Sequence, residues 1–370
     1  MVPACIVLMI VSLVVSCVLT WVMRAVGRRT GQMDQPGRRK LHDRAVPVTG
    51  GVAIFLTMGS IIAAILAAAW WLPMGAWEWM SPDAVPHLQG MRNQTLMALA
   101  LLGGMLVLHL VGLIDDRRDL GPFSKLAAQI LAAFVLATWC NVRLMEQWGE
   151  TPSILLTIFW FVAIINAVNF LDNMDGLAGG VAVICASILM AAALVNEQWF
   201  VAGLLAVLVG SVAGFLFFNL PPASIFMGDA GSLVVGLVLA FCSVRITYHD
   251  PTSLRGTQWW AVLTPLVVLA IPLYDLTSVT LIRISRGRNP LVGDRQHFSH
   301  RLVRKGLSAR AAVGVIWACT LATGLGGVML SSAKAWQACV IVLQAGVILI
   351  VLGLLERTLG ESDEDRERSK

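Results

Sequence analysis

Asp115 and Asp116 stand side by side where a long apolar run ends, in GLIDDRRDLGPFSK (112–125). Adjacent carboxylates repel, so the pair gains most when a cation lies between them. Mg²⁺, which takes a few carboxylates and completes its shell with phosphate oxygens and water, suits such a pair. The plainer alternative is a solvated turn with Arg117 and Arg118 as counter-charges. A second polar segment, NAVNFLDNMDGLAGG (166–180), is flanked by apolar residues on both sides. On a helical wheel Asn166, Asn169 and Asn173 fall within about 60° of one another, with Asp172 beside that arc. Asp175-Gly176 reads as the helix break. Such a face in lipid is costly unless its groups are paired, so it is expected to line a cavity or bind a ligand. The alternative is a structural network between helices.

Further along, MGDAGS (227–232) sets Asp229 between glycines at a helix start, where backbone can approach an anion closely. By itself Asp229 is equally well a plain N-cap. Asn219 and Phe226 precede it, with Pro221-Pro222 stiffening the loop between them. The last segment, RGRNPLVGDRQHFSHRLVRKG (286–306), carries His297 and His300 among Arg288, Arg295, Arg301, Arg304 and Lys305. No HExxH and no nearby Cys or Glu supports a zinc site. Imidazoles in an arginine-rich loop point instead to a phosphate or pyrophosphate; the alternative is a basic loop facing the cytoplasm or anionic lipid. Acids for a divalent metal, amides for a hydroxylated or heterocyclic ligand and a basic loop for phosphates together suggest phosphoryl transfer onto a membrane lipid.

The elements that must position these residues are membrane helices. The chain has 370 residues, 57% hydrophobic and 13% charged, with mean hydropathy +0.77; a soluble protein is about a quarter charged. About eleven apolar runs approach the ~20 residues a span needs, at 2–23, 48–71, 95–113, 124–140, 153–168, 177–195, 200–218, 231–247, 259–282, 310–331 and 335–355. The expected fold is therefore an all-α polytopic bundle, one membrane-embedded domain over 1–355 followed by a charged tail, 356–370. The first run lacks a preceding basic residue and a small-residue cleavage site, and reads as a retained span. The seven cysteines lie in or beside apolar runs without CxxC spacing and read as small buried hydrophobes.

Basic residues fix the orientation. One set of loops carries Arg28, Arg29, Arg38, Arg39 and Lys40, then Arg117, Arg118 and Lys125, then the arginine-rich segment around Arg295. The opposite set has Arg92, Arg143, Arg255 and Lys334. Positive charge marks the cytoplasmic side, which puts the N-terminus outside, the C-terminus inside and every polar segment on the cytoplasmic face. A cation-coupled transporter is the rival reading; the acids gather at one membrane face rather than mid-depth, and no internal repeat pairs the two halves. A lipid phosphatase is a third reading, without the Arg/His spacings it would need.

These segments resemble, in order, the motifs of the polyprenyl-phosphate N-acetylhexosamine-1-phosphate transferases, over roughly residues 30–310. MDQPGRRKLHDRAVPVTGG, LIDDRRDLGPFSKLAAQ, NAVNFLDNMDGLAGG, FNLPPASIFMGDAGS and GDRQHFSHRLVRKGLS carry the likeness. Asn173 stands where the family pattern has Gly, and Ser299 interrupts its HxHH run. The last loop resembles the N-acetylglucosamine branch and lacks the PxHHHxE of the phospho-N-acetylmuramoyl-pentapeptide transferases, which remain an alternative. The resemblance implies a helical bundle, often dimeric, that transfers a sugar-1-phosphate from a UDP-N-acetylhexosamine to undecaprenyl phosphate in the bacterial cytoplasmic membrane. It implies Mg²⁺, with Mn²⁺ as a substitute, and no nucleic-acid partner. By position it implies Asp229 and Asp116 at the metal and Asp115 with Asp116 activating the lipid phosphate. Asn169 and Asp172 fall beside the pyrophosphate, Asp175, Asn219 and Phe226 around the uracil, and Lys40, Lys125, Arg295, His297 and His300 on the phosphates. A two-step route through an aspartyl nucleophile stays open beside direct attack.

Overall fold

The computed structural model describes residues 1–35, 45–80, 85, 87–118, 120–246, 259–287, 289 and 297–358. They form an all-α polytopic membrane protein. Its helices are α1 (Val2–Thr30), α2 (Gly50–Trp71), α3 (Met74–Met80), α4 (Leu88–Asn93), α5 (Thr95–Asp115), α6 (Pro122–Trp139), α7 (Glu150–Leu171), α8 (Leu177–Val195), α9 (Trp199–Asn219) and α10 (Asp229–Arg245). They continue with α11 (Thr264–Val268), α12 (Ala270–Ser285), α13 (Phe298–Arg304), α14 (Ala309–Met329) and α15 (Ala335–Thr358). Among the described residues nine helices are long and apolar enough to cross a membrane, or ten if a bent pair counts as one span. The expected eighth span is α10, only 17 residues long.

α10 is the hub. It packs against α2, α5, α7, α8 and α9, and every residue from Ala230 to Val244 is buried. A helix apolar all round belongs inside a bundle. By contrast α1 and α15 sit at the periphery, where Ile6, Val7, Val14, Trp21, Leu343 and Ile350 are exposed, as lipid-facing side chains are. Small residues let the N-terminus of α10 enter the bundle. A Cβ on Gly51 would collide with the backbone of Gly231, and one on Gly112 with that of Ala230. Glycine at both places permits backbone-to-backbone approach of α2 and α5 to α10.

Two expectations change. The ninth run is not one straight helix: Trp259–Val268 and Ala270–Ser285 meet at 65°. Pro272 explains the break, because it has no N–H to donate and its ring clashes with the carbonyl four residues back, that of Val268. The helical arc of amides is also shorter than the wheel implies. α7 ends at Leu171, with Asp172 as its C-cap, so Asn166 and Asn169 lie on the helix while Asn173 lies beyond it.

A two-stranded antiparallel ladder, β1 (Met33–Asp34) and β2 (Val46–Pro47), adjoins the start of α2. The FMGD loop joins it: Phe226 N–H donates to Pro47 O at 2.8 Å, Gly50 N–H to Phe226 O at 3.0 Å and Gly51 N–H to Met227 O at 2.9 Å. The loop before α10 is thereby fastened to the N-terminus of α2.

Candidate functional site

The ends of α5, α6, α7 and α10 meet at one end of the bundle, and the polar side chains they carry hold one another. Lys125, in the first turn of α6, places Nζ 2.9 Å from Asp115 Oδ2 and 2.9 Å from Asp229 Oδ2. Asn169, in the last turn of α7, donates through Nδ2 to Asp229 Oδ1 at 2.8 Å and to Ser232 Oγ at 2.9 Å. Asp115 also accepts Leu120 N–H at 3.0 Å, closing the loop between α5 and α6. Asp229 and Asp115 keep 23% and 13% of their side-chain surface exposed, so the cluster stays open to a ligand.

Asp116 does different work from its neighbour. Its Oδ1 accepts Asp229 N–H at 2.8 Å and its Oδ2 accepts Ala230 N–H at 3.2 Å. These are orphan donors of the α10 first turn, so Asp116 caps that helix from a distant part of the chain. Gly228, at φ 67°, leaves room for this: a Cβ there would lie 2.6 Å from Asp116 Oδ2. Asp172 accepts the Gly228 N–H, so two carboxylates grip the same turn. Burial, then the charge of Asp229, pushes the Asp116 carboxyl up to about 7. Burial, then the charges of Asp229 and Asp116, pushes Asp172 up to about 8.

Asp175 and Asn219 secure the adjoining loop. Asp175 Oδ2 accepts Ala223 N–H at 2.8 Å. Asn219 is buried; its Oδ1 accepts Gly176 N–H at 3.0 Å and its Nδ2 donates to Ile225 O at 2.9 Å. With both ends of its amide spent on backbone, Asn219 shapes the loop that carries Phe226, whose ring is partly exposed. Asn166 is set apart from the cluster: its Nδ2 donates to Gln129 Oε1 at 2.6 Å, tying α7 to α6.

The histidines belong to a second cluster. Asp275, fully buried in α12, places Oδ2 3.0 Å from His297 Nδ1 and accepts the Phe298 N–H through Oδ1 at 2.6 Å. The His297 ring stands edge-on to Phe170, with centroids 5.3 Å apart, and the Arg283 guanidinium lies 5.2 Å from the same Phe170 ring. His300 lies one turn on, its ring centroid 6.5 Å from that of His297. Ser299 donates to Asn173 Oδ1 at 2.5 Å, so the residues that depart from the resembled motifs bond to each other and tie α13 to the end of α7. Arg301 pairs with Glu356 near the end of α15, Nε to Oε2 at 2.9 Å, and donates to Ser278 Oγ at 2.8 Å. Lys40 and Arg295 lie outside the described residues, as do residues 359–370 of the expected charged tail.

Residues 98–247 match the sequence profile of glycosyl transferase family 4. A decaprenyl-phosphate N-acetylglucosaminephosphotransferase of Mycobacterium leprae is 34% identical over 306 residues, covering 76% of this chain and 72% of the relative. The chain belongs to glycosyl transferase family 4. Other relatives of this family 4 protein are a probable undecaprenyl-phosphate N-acetylglucosaminyl 1-phosphate transferase of Bacillus subtilis, 28% identical over 97% of this chain and 93% of the relative, and an undecaprenyl-phosphate alpha-N-acetylglucosaminyl 1-phosphate transferase of Escherichia coli O157:H7, 26% identical over 82% of this chain and 76% of the relative.

In this family 4 site the donor set fits an ion that borrows most of its ligands. Among the described residues no three His, Cys, Asp or Glu side chains are spaced to cage a metal. Mg²⁺ needs only one or two carboxylates if phosphates and water supply the rest. Asp229 offers a lone pair on each oxygen beyond those used by Lys125 and Asn169, and Asp116 and Asp172, raised by burial first and by the charge of Asp229 second, stand close to it. Sequence reasoning missed Asp275 and Glu356. Asp275 was nonetheless visible as an ionisable residue inside the apolar run 259–282, which is a functional signal by default.

Proposed function

We propose that this protein transfers N-acetylglucosamine-1-phosphate from UDP-N-acetylglucosamine to undecaprenyl phosphate, releasing UMP, at the cytoplasmic face of the bacterial cytoplasmic membrane. The observation that carries this reading is the Lys125 ammonium held between Asp115 and Asp229 at the mouth of the bundle. The names of the relatives support the donor and acceptor classes, and the arginine-rich loops on the same side as the site support the cytoplasmic orientation.

In this reading an oxygen of the lipid phosphate attacks the β-phosphorus of the nucleotide sugar. The bond from that phosphorus to the bridging oxygen breaks, and UMP leaves with the electron pair. Lys125 meets the phosphates with a charge already oriented by two carboxylates, so its position needs little reorganisation during the reaction. Asp115 acts through Lys125, orienting it toward the acceptor phosphate. Asn169 fixes Asp229, and Asp116 and Asp172 hold the turn that presents Asp229. Phe226, partly exposed, would meet the uracil from a loop fastened by Asn219 and Asp175. His297 and His300 meet the diphosphate from the other side. Mg²⁺, held at Asp229, would supply neutralising charge to the pyrophosphate.

The test is an assay of purified protein in nanodiscs with Mg²⁺, UDP-N-acetylglucosamine and undecaprenyl phosphate. Equal amounts of UMP and lipid-linked N-acetylglucosamine phosphate are expected, with neither formed when the lipid phosphate is left out. Sugar uptake into proteoliposomes with no lipid product would move the protein to the transporter class instead.

A further inference from the structure

We infer that Asp275 is a positioning residue for the transfer, and that it acts by fixing which nitrogen of His297 carries its proton; the catalytic part of this inference rests on the proposed function. Asp275 comes from the middle of an apolar helix and is completely buried. In this assignment His297 Nδ1 carries the proton and donates to Asp275 Oδ2, 3.0 Å away. Its other oxygen takes the Phe298 N–H at 2.6 Å, at the start of α13. One acid therefore sets both the rotation of the imidazole and the entry of the helix that carries it. The edge contact with Phe170 leaves the ring little freedom to turn. Nδ1 is thereby spent on Asp275, and Nε2 is the nitrogen left to meet a substrate phosphate. A histidine whose far nitrogen is tied to a carboxylate has a defined tautomer and a more effective free nitrogen.

Phe170 also explains why the geometry matters to the site. It lies between Asn169, bonded to Asp229, and the Asp172 cap, so the His297 ring is packed against the helix end that holds the acid cluster. The buried Arg301–Glu356 pair and the Ser299–Asn173 bond hold the rest of α13 in place. α13 thus remains anchored when the His297–Asp275 contact alone is altered.

Asp275→Asn separates positioning from support. Its amide oxygen can still accept the Phe298 N–H, while its NH₂ group faces His297 Nδ1 and requires that nitrogen to be an acceptor. ¹⁵N-histidine spectra of the full-length protein in nanodiscs, assigned with His297→Gln, should show a protonated Nδ1 in the wild type and an unprotonated Nδ1 in Asp275→Asn. In the transfer assay Asp275→Asn should lower kcat about 100-fold with little change in KM for UDP-N-acetylglucosamine. Asp275→Asn/His297→Gln should be no slower than His297→Gln alone. Losses that multiply in the double variant, or wild-type kcat with the proton moved, would overturn the inference. Were Asp275→Asn not recovered folded, the wild-type spectrum decides, since an unprotonated Nδ1 contradicts the contact. A wild-type protein that makes no lipid-linked sugar counts against the proposed function, while the spectra judge the dyad separately.

Discussion

Around Asp229 polar side chains hold one another across the ends of four helices, whereas around His297 a short helix is pinned to an acid buried inside an apolar segment. The first region is partly exposed, dense in carboxylate and balanced by Lys125. The second is closed, with Asp275, Arg283, Phe298 and Ser299 nearly inaccessible. The contrast separates two tasks. An open cluster of like charges can exchange its cationic partners with a charged substrate at small cost, while a buried hydrogen-bonded pair loses heavily if either member is removed. The acid end is suited to changing its ligands, and the histidine end to keeping one geometry.

The sharpest way to break this comparison is at Asp229. Asp229→Asn keeps the shape and the Asn169 contact but removes the charge, and should lower transfer at least about 10³-fold while the protein stays monodisperse in detergent. Activity near wild type would remove Asp229 from the centre of the site. Lys125→Met leaves Asp115 and Asp229 facing each other without their shared cation, and a loss of about 100-fold in kcat is expected. Lys125→Arg should recover part of it, because the charge returns in a different shape.

A subtler test uses pH. Asp116 and Asp172 have folded pKa values of about 7 and about 8, above the ordinary 3.8. The folded state therefore binds protons that the unfolded state has released, and stability falls as pH rises between 3.8 and about 8. Melting temperature in EDTA should decline across that window and level off above it. Asp172→Asn should flatten the decline, and added Mg²⁺ should do the same in the wild type. A melting temperature that climbs through the window contradicts the raised carboxyls of Asp116 and Asp172. The smallest effects are expected where α13 meets α7. Asn173→Gly and Ser299→Ala each remove one hydrogen bond, worth about 1 kcal/mol, and should raise KM for the nucleotide sugar a few-fold. Because they break the same bond, the double variant should match either single one; independent losses would mean the bond is incidental.

Much of the acid end was legible because its residues announce themselves at helix ends. Asp115-Asp116, NAVNFLD and MGDAGS each interrupt an apolar run, and polar groups there need partners. Their pairing was not legible. That Asp116 caps a helix 113 residues away and that Lys125 bridges acids from separate helices are facts of packing, invisible to any local pattern. A helical wheel predicts Asn173 on α7, but the helix stops at Leu171, and Asn173 instead meets Ser299 across 126 residues. The ninth span hid two things at once: a bend, signalled only by Pro272, and Asp275, overshadowed by the basic loop that follows it. A short helix such as α13 has no periodic signature of its own, so its anchors on α12 and α15 emerge only from the folded chain.

The central claim is that the acid cluster passes a phosphosugar, with its phosphorus, to a lipid. The most direct measurement follows the β-phosphorus of UDP-N-acetylglucosamine labelled there with ³²P, in nanodiscs containing undecaprenyl phosphate and Mg²⁺. The account predicts that all of the transferred label appears in the lipid fraction and that the UMP released is unlabelled, with both products lost in Asp229→Asn. Label retained in UDP while the sugar alone moves to lipid, or label released as inorganic phosphate, would contradict it.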